Sequence, residues 1–385
     1  MEFSGDVSPS FTAFPPPRGR VGPAGAGELD EFGEFVDVQP STLGYNLAGF
    51  GFAPYGPYWR DIRKLVVIEL LSAHRLEQFK HVRVSEIDTS IKELYRMGKT
   101  NQPDEAVEIT SWVEQMTLNI ITRMISGKRY FDRSSAVQDP GAGNFRRAIK
   151  EFMYVSGNFF SSDVIPYPPF TWVDWGGKLR NVKRITLIVA GADTGSINLT
   201  WLLSILLNNQ PALARAKEEI DAQIGKTRLV EECDVKNLVY LQAILKEALR
   251  LYQPGPLSVP HLATADCEIG GYHIPKGTRL LPNVWKLHRD PRVWPNPGNH
   301  AAGLDVSGKN FEYGPFRAGR RSCPGLTLAM QVAQLALARL VQGFEFATPG
   351  DEAVDMSEGL GIALPKVKPV EVLITPRLAS DLYEG

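Results

Sequence analysis

Phe316–Gly325 reads FRAGRRSCPG and stands directly before a long apolar segment, residues 326–344. The length and pattern of that segment predict a helix, which places Cys323 just ahead of a helix N-terminus. Unpaired N–H groups and the helix dipole at such a position stabilise a thiolate. Pro324 suits the first helical turn, where a missing N–H costs nothing. The alternative is a buried structural cysteine, the ordinary role of a lone cysteine.

The residues around Cys323 suit a flat ligand that carries carboxylates. Gly319 and Gly325 let the backbone pass close to such a ligand because they have no side chain. Arg320 and Arg321 supply positive charge that could face its carboxylates.

The same run resembles the haem-binding signature of the cytochrome P450 superfamily, Phe-x-x-Gly-x-Arg-x-Cys-x-Gly. It meets every fixed position, namely Phe316, Gly319, Arg321, Cys323 and Gly325. In that family the cysteine thiolate is the axial ligand of the haem iron and favours O–O cleavage. The resemblance therefore implies that Cys323 ligates the iron of haem b, with Phe316 and Arg321 beside the cofactor.

Composition is that of an ordinary globular protein. The chain has 385 residues, of which 43% are apolar and 22% charged, and its formal net charge is −1. Nothing in this balance points to nucleic acid or to an anionic surface as a partner. Three cysteines, far apart and odd in number, argue against a disulfide framework and favour a reducing compartment.

The longest apolar run, from Ile185 to Leu207, has the length of a membrane span. It contains Asp193, and an ionisable group in mid-span is costly. We therefore predict a buried helix of a soluble core. The first forty residues lack the apolar segment of a signal peptide and carry acids throughout.

Periodicity and turn residues predict a mainly α fold with a small β portion. Residues 1–42, rich in Pro, Gly and acids, are predicted to be disordered or poorly packed, 43–376 to form one domain, and 377–385 to be a tail. The predicted helices are 59–80, 107–127, 145–156, 182–207, 210–224, 235–252 and 326–344. The predicted strands include 267–269, 278–281 and 367–375, and the predicted loops include 165–177 and 298–307.

Two further motifs have counterparts in the cytochrome P450 family. Glu247 and Arg250, three apart on one helix face, can pair, although such a pair is usually a solvated surface contact. They resemble the family's structural Glu-x-x-Arg motif, which braces the core near the haem. Asp193 and Thr194 resemble the family's oxygen-activation motif, whose acid and threonine organise proton delivery. Gly195 replaces the second hydroxyl of that motif.

Three more positions match residues that hold haem propionates in the family. Trp59 and Arg63 match a Trp-x-x-x-Arg pattern, and a spacing of four places both on one helix face. His261 matches a basic residue between a helix and a strand. Each of these alone is more often core packing, but together with Arg321 they form a set suited to carboxylates.

The resemblance runs, with gaps, from about Leu43 to Pro376 and is strongest to plant microsomal members of specialised metabolism. It implies a monooxygenase that inserts one oxygen atom from O₂ into a small apolar organic molecule. It also implies electrons from NADPH through NADPH-cytochrome P450 reductase, and a place at the endoplasmic reticulum membrane surface. Because no anchor segment is recognisable in this sequence, a cytoplasmic location is the alternative.

The sequence departs from the family in three places. The sheet and helices that normally precede the Trp59 helix are not recognisable. Between Gly177 and Val182 there is no room for the family's G and H helices, and residues 295–311 lack the Pro-Glu-Arg-Phe segment. The fold is therefore expected to be an incomplete cytochrome P450 fold. Two other interpretations stay open: a truncated or misannotated member that binds haem poorly or without turnover, and a non-enzymatic haem carrier.

Overall fold

A computed structural model places the parts of the chain described below. They are residue 53 and residues 55–100, 105–129, 188–258, 261–295, 303–361 and 363–384. The predictions for residues 1–42, 145–156 and 165–177, and for the missing G and H helices, lie outside these residues.

Helices dominate the described residues. The first are α1 (Pro57–Leu65), which continues as a π-helical turn over Val66–Leu70, α2 (Ala73–Gln78) and α3 (Lys80–Thr100). The sequence predicted one helix over 59–80, but the chain breaks near Ser72. The Ser72 hydroxyl donates to the carbonyl of Ile68 and accepts from the amide of Arg75. It therefore ends one helix and caps the next, a role that apolar spacing does not reveal.

The remaining helices are α4 (Ile109–Ser126), α5 (Ile188–Leu207), α6 (Gln210–Gln223), α7 (Val239–Leu251), α8 (Val284–Leu287), α9 (Leu326–Gly343) and α10 (Asp381–Glu384). Helices α4, α5, α6, α7 and α9 confirm predicted helices to within a few residues. The short helices α8 and α10 were not predicted, and α10 lies in the segment predicted to be a tail. Helix α9 lies at the centre of the core, since every residue from Leu335 to Phe344 is buried. Among the described residues, no helix combines the length and apolar character needed to cross a bilayer.

The β portion is small, as predicted. It comprises β1 (Val107–Glu108), β2 (His261–Leu262), β3 (Cys267–Ile269), β4 (Tyr272–Ile274), β5 (Arg279–Leu280), β6 (Phe344–Ala347) and β7 (Glu371–Pro376). Strand β7 pairs antiparallel with both β1 and β6, and β2 pairs with β5. The β3–β4 hairpin turns at Gly270 and Gly271, whose φ angles are 58° and 83°. Positive φ at both positions favours glycine.

The C-terminal segment packs against the helical core. Tyr383, on α10, is buried, and its ring stacks on that of Tyr95 with centroids 4.3 Å apart. Its hydroxyl donates to the carbonyl of Gly343, at the end of α9. The segment predicted as a tail, 377–385, therefore contributes buried contacts to α3 and α9.

A row of stacked cations and aromatic rings joins α5 to the segment that follows α9. Lys366 lies 4.7 Å from the ring centre of Trp201, which stacks on Tyr252 at 4.3 Å. The guanidinium of Arg289 lies 5.2 Å from Tyr252 and 4.1 Å from Trp285. Each such contact contributes roughly 0.5–2 kcal/mol, depending on its burial.

Gln342 fixes the loop between α6 and α7 to the centre of the core. Its side chain is fully buried and accepts from the amide of Val230 at 2.9 Å. It donates to the carbonyls of Gly225 and Arg228 at 3.1 and 2.9 Å. One side chain therefore satisfies three backbone groups that no regular element pairs.

We expect Gln342→Leu to lower the free energy of unfolding by roughly 3 kcal/mol, because buried backbone groups lose their partners. Urea denaturation measures the change. Gln331→Leu, on the same helix, is the matched control, since Gln331 Oε1 is buried without a hydrogen-bond partner among the described residues. That variant should be neutral or stabilising, and equal losses in the two variants would contradict the interpretation.

Candidate functional site

Cys323 lies in a tight loop, residues 314–325, called the Cys loop below. The amide of Cys323 donates to the carbonyl of Phe316 at 2.8 Å, and that of Arg317 donates to the carbonyl of Gly314 at 3.1 Å. Helix α9 then begins at Leu326, with Gly325 as its N-cap. Cys323 therefore precedes a helix N-terminus, as predicted. Pro324 lies in the turn before the helix, however, and not in its first turn.

The Cys323 residue is in contact with both solvent and protein atoms. The residue is exposed, but the protein atoms that surround the sulfur desolvate it and raise its pKa. A hydrogen bond from the Gly325 amide and the charges of Arg317 and Arg63 act in the opposite direction. The expected helix N-terminal stabilisation is therefore present, but desolvation outweighs it. A bound metal cation is the usual means of holding such a sulfur as thiolate.

Helix α1 docks against the Cys loop through two of the predicted residues. Arg63 Nη2 donates to the carbonyl of Ser322 at 2.9 Å. Trp59 is buried, and the guanidinium groups of Arg63 and Arg321 lie 5.3 and 4.1 Å from its ring centre. Arg321 Nη2 also donates to the carbonyl of Ala53 at 2.8 Å. The structure thus brings Arg321 together with Trp59 and Arg63, which lie more than 250 positions earlier in the sequence.

Positive charge accumulates beside Cys323. Desolvation lowers the pKa of Arg63, and the charge of Arg321 lowers it further. Desolvation lowers the pKa of Arg317 to about 10, again with a contribution from Arg321. Because these cations repel one another in a partly desolvated place, an anionic group bound beside them would be stabilised.

The Glu247–Arg250 pair is a buried brace and not a surface contact. Arg250 Nε and Nη2 donate to the two carboxylate oxygens of Glu247 at 2.9 and 2.5 Å. The side chain of Arg250 is only 3% exposed, and its Nη1 donates to the carbonyl of His288. The predicted pairing is therefore present, in the buried form that the motif implies.

Asp193 and Thr194 lie in the first turns of α5, and both are partly exposed. Thr194 Oγ1 donates to the carbonyl of Gly191 at 3.3 Å. Ser196 is buried, and its hydroxyl donates to the carbonyl of Asp193 at 2.8 Å. Ser196 therefore points to a different side of the helix from Thr194, as its position in sequence predicts. His261 lies at the start of β2, paired with Leu280.

Comparison with known proteins identifies the family to which this site belongs. The family model described as Cytochrome P450 matches residues 33–186 and 180–372. The chain belongs to the cytochrome P450 family. Vinorine hydroxylase of Rauvolfia serpentina is 49% identical over 91% of this chain and 78% of its own.

Two other plant cytochromes P450 and one solved structure agree. Nicotine N-demethylase of Nicotiana tomentosiformis is 43% identical and xanthotoxin 5-hydroxylase of Arabidopsis thaliana is 41% identical, each over 89% of this chain. They cover 78% and 79% of their own lengths. A zebrafish cytochrome P450 structure with abiraterone superposes with a TM-score of 0.71 over 90% of this chain and 88% of that one, at 22% identity. The predicted fold and the monooxygenase class of specialised metabolism are confirmed.

Sequence reasoning missed two residues that shape the Cys loop of this cytochrome P450. Arg317 has a φ of 66°, a conformation that favours glycine. The family signature leaves its position open, so the motif gave no signal. Gly308 is buried with a φ of 83°. A Cβ atom there would overlap the carbonyl of Arg317 and lie 2.8 Å from the Cα of Ala318.

His288 is the third missed residue, and it joins α7 to the Cys loop. It is fully buried, with Nδ1 3.0 Å from the carbonyl oxygen of Arg250 and Nε2 3.3 Å from the amide of Gly314. Burial lowers its pKa from 6.5 to about 4, against the opposing effect of the hydrogen bond to the Arg250 carbonyl, and the charges of Arg250 and Arg289 lower it further. The sequence predicted no role for it, because no local pattern singles it out.

We expect Gly308→Ala to destabilise the Cys loop by roughly 1–3 kcal/mol, because the added carbon has no space beside Arg317. Gly277→Ala is the matched control. Its φ of 88° is equally unfavourable for alanine, but a Cβ there meets nothing within 4 Å among the described residues. Thermal unfolding and hydrogen exchange of the loop measure the difference. Equal effects of the two substitutions would contradict the packing argument.

We expect the free energy of unfolding to fall as pH decreases from about 6.5 towards 4. As pH falls, His288 of the unfolded chain takes up a proton near pH 6.5, whereas His288 of the folded protein does so only near pH 4. Protonation therefore favours the unfolded chain between these values. Between about pH 7 and about pH 5 this group contributes a loss of about 2 kcal/mol. Urea denaturation of the parent protein and of His288→Gln at both pH values measures the effect. The variant should show a smaller fall, and identical falls would disprove the assignment.

Proposed function

We propose that this cytochrome P450 is a haem-thiolate monooxygenase that inserts one oxygen atom from O₂ into a small apolar organic molecule. The observation that carries the proposal is the thiol of Cys323. It is exposed beside a helix N-terminus, within reach of the Gly325 amide, and it faces partly desolvated cations. A single soft sulfur ligand next to carboxylate-binding groups suits haem and does not suit a structural zinc site.

The residues present fit the cofactor. Cys323 would ligate the iron, and Arg63, Arg321, Trp59 and His261 would hold the propionates. Docking of α1 on the Cys loop supports this set, because it places Arg63 and Arg321 over one indole ring. When bound, haem b supplies the iron at which dioxygen is activated, and thiolate donation favours O–O cleavage.

The chain's own residues would hold the cofactor in place and manage protons. Phe316, partly buried against the main core, would pack against the haem from the Cys loop. The Glu247–Arg250 brace would support that loop through His288, whose carbonyl accepts from Arg250 and whose ring accepts from Gly314. Asp193 and Thr194 would deliver protons, since partial exposure lets Asp193 exchange them with solvent and Thr194 offers a hydroxyl in the next position.

Partners and location follow from the family in the same way. Electrons would come from NADPH through NADPH-cytochrome P450 reductase, and the protein would work at the endoplasmic reticulum membrane surface. Relatives at 38–49% identity carry names that refer to vinorine, nicotine, xanthotoxin and strychnine, all small organic molecules. A plant specialised metabolite of that size is the substrate class we propose, and vinorine is the first probe.

We expect the haem-loaded protein, reduced under carbon monoxide, to show a strongly red-shifted Soret band that disappears in Cys323→Ser. The shift reports a thiolate opposite the carbon monoxide ligand. Cys233→Ser is the matched control, since Cys233 is also exposed but lies on the loop before α7. That variant should keep the band. Absence of haem uptake, or an unshifted band in the parent protein, would contradict the proposal.

Turnover separates the proposed enzyme from a member that binds haem without activity. The absent Pro-Glu-Arg-Phe segment favours this second candidate, because a braced buried charge that loses a partner destabilises the core. With reductase, NADPH and O₂, oxygenation of any member of a panel of small apolar molecules supports the first function. A shifted band with no oxygenated product across the panel supports the second.

A further inference from the structure

The His288 ring is held in one tautomer by two backbone groups. Nδ1 faces the carbonyl oxygen of Arg250 at 3.0 Å, so it must carry the hydrogen and donate. Nε2 receives the amide hydrogen of Gly314 at 3.3 Å, so it must be bare and accept. The neutral ring therefore uses both nitrogens and links the end of α7 to the start of the Cys loop.

Further backbone hydrogen bonds lead from Gly314 towards Cys323. Gly314, whose amide the ring accepts, offers its carbonyl to the amide of Arg317 at 3.1 Å. The neighbouring Phe316 offers its carbonyl to the amide of Cys323 at 2.8 Å. A shift of Gly314 would therefore move both of the bonds that close the Cys loop.

Aromatic neighbours fix the plane of the ring. Tyr313 lies 5.6 Å from the ring centre and Trp294 lies 6.4 Å from it, and both are buried. Tyr313 donates its hydroxyl to the carbonyl of Lys246 at 2.8 Å, and Trp294 donates to the carbonyl of Leu287 at 3.1 Å. Besides the His288 link, Tyr313 therefore joins α7, at Lys246, to the position directly before the Cys loop.

We propose that His288 is a positioning residue that sets the orientation of the Cys323 loop relative to the Glu247–Arg250 brace. The nitrogen that performs this role is Nε2, because it accepts the hydrogen bond from the amide of Gly314. The inference rests on the proposed function, in that the loop is positioned for haem ligation. It acts through Gly314 and Phe316, since His288 itself contacts neither the sulfur nor the site of a ligand.

Two substitutions test the roles of the two ring nitrogens of His288 separately. In His288→Gln the amide oxygen can take the place of Nε2 and accept from Gly314. In His288→Asn the shorter amide can take the place of Nδ1 and donate to Arg250, but nothing reaches Gly314. His81→Asn is the control, because His81 makes a comparable bond to the carbonyl of Gln78 on the exposed surface.

The first measurement is hydrogen exchange of the peptide covering residues 311–318 in the haem-free full-length chain. The loss of one hydrogen bond should raise exchange about fivefold in His288→Asn. It should stay near the parent rate in His288→Gln and in His81→Asn. Parent-like exchange in His288→Asn, or equal increases in the Gln and Asn variants, would overturn the proposal.

The second measurement is the fraction of reduced, carbon monoxide-bound protein with the red-shifted Soret band, at equal haem content and with melting temperature recorded. We expect the Asn variant to lose most of this fraction and the Gln variant to retain it. A parent protein that takes up no haem refutes the proposed function, while the exchange experiment still decides the role of His288. If the Asn variant does not fold, parent-like exchange and band in the Gln variant support the proposal, and their loss refutes it.

Discussion

The hydrogen bond from the amide of Cys323 to the carbonyl of Phe316 is the constraint on which the site depends. It closes the Cys loop directly ahead of the N-terminus of α9. The closure leaves little room, since Gly308 packs directly against the backbone of Arg317. Arg63 bonds helix α1 to the closed loop, and His288 links the loop to the carbonyl of Arg250 on α7.

Burial by the surrounding protein destabilises the charged forms of the groups beside Cys323. Desolvation raises the pKa of the thiol and lowers that of Arg63 and Arg317, so the charged form of each group is destabilised by its surroundings. A ligand that brings both a metal cation for the sulfur and carboxylates for the guanidinium groups would satisfy all of them together. Binding of such a ligand would therefore offset the electrostatic destabilisation of the loop.

Most of the helices and the position of Cys323 could be predicted from the sequence, and the residues that were missed were missed for physical reasons. Apolar periodicity located α4, α6, α7 and α9, and the fixed spacing of the signature located Cys323. Motif spacing also anticipated that Trp59 and Arg63 would join Arg321, because each occupies a recognisable pattern. His288 and Gly308 act through backbone contacts with distant segments, and no local pattern reports such contacts. Ser72 broke a predicted helix through a side-chain hydrogen bond that periodicity does not weigh.

The contact between α1 and the Cys loop has a consequence for biosynthesis. Arg63 and Ser322 are separated by 259 positions, and Ala53 and Arg321 by 268. During translation α1 leaves the ribosome long before the loop on which it docks has been made. Contacts of such long sequence separation close late and slow folding, because loop-closure entropy is lost before they form. The site therefore cannot close until the loop has been made, and until then Arg63 and Trp59 lack the contacts that the loop supplies.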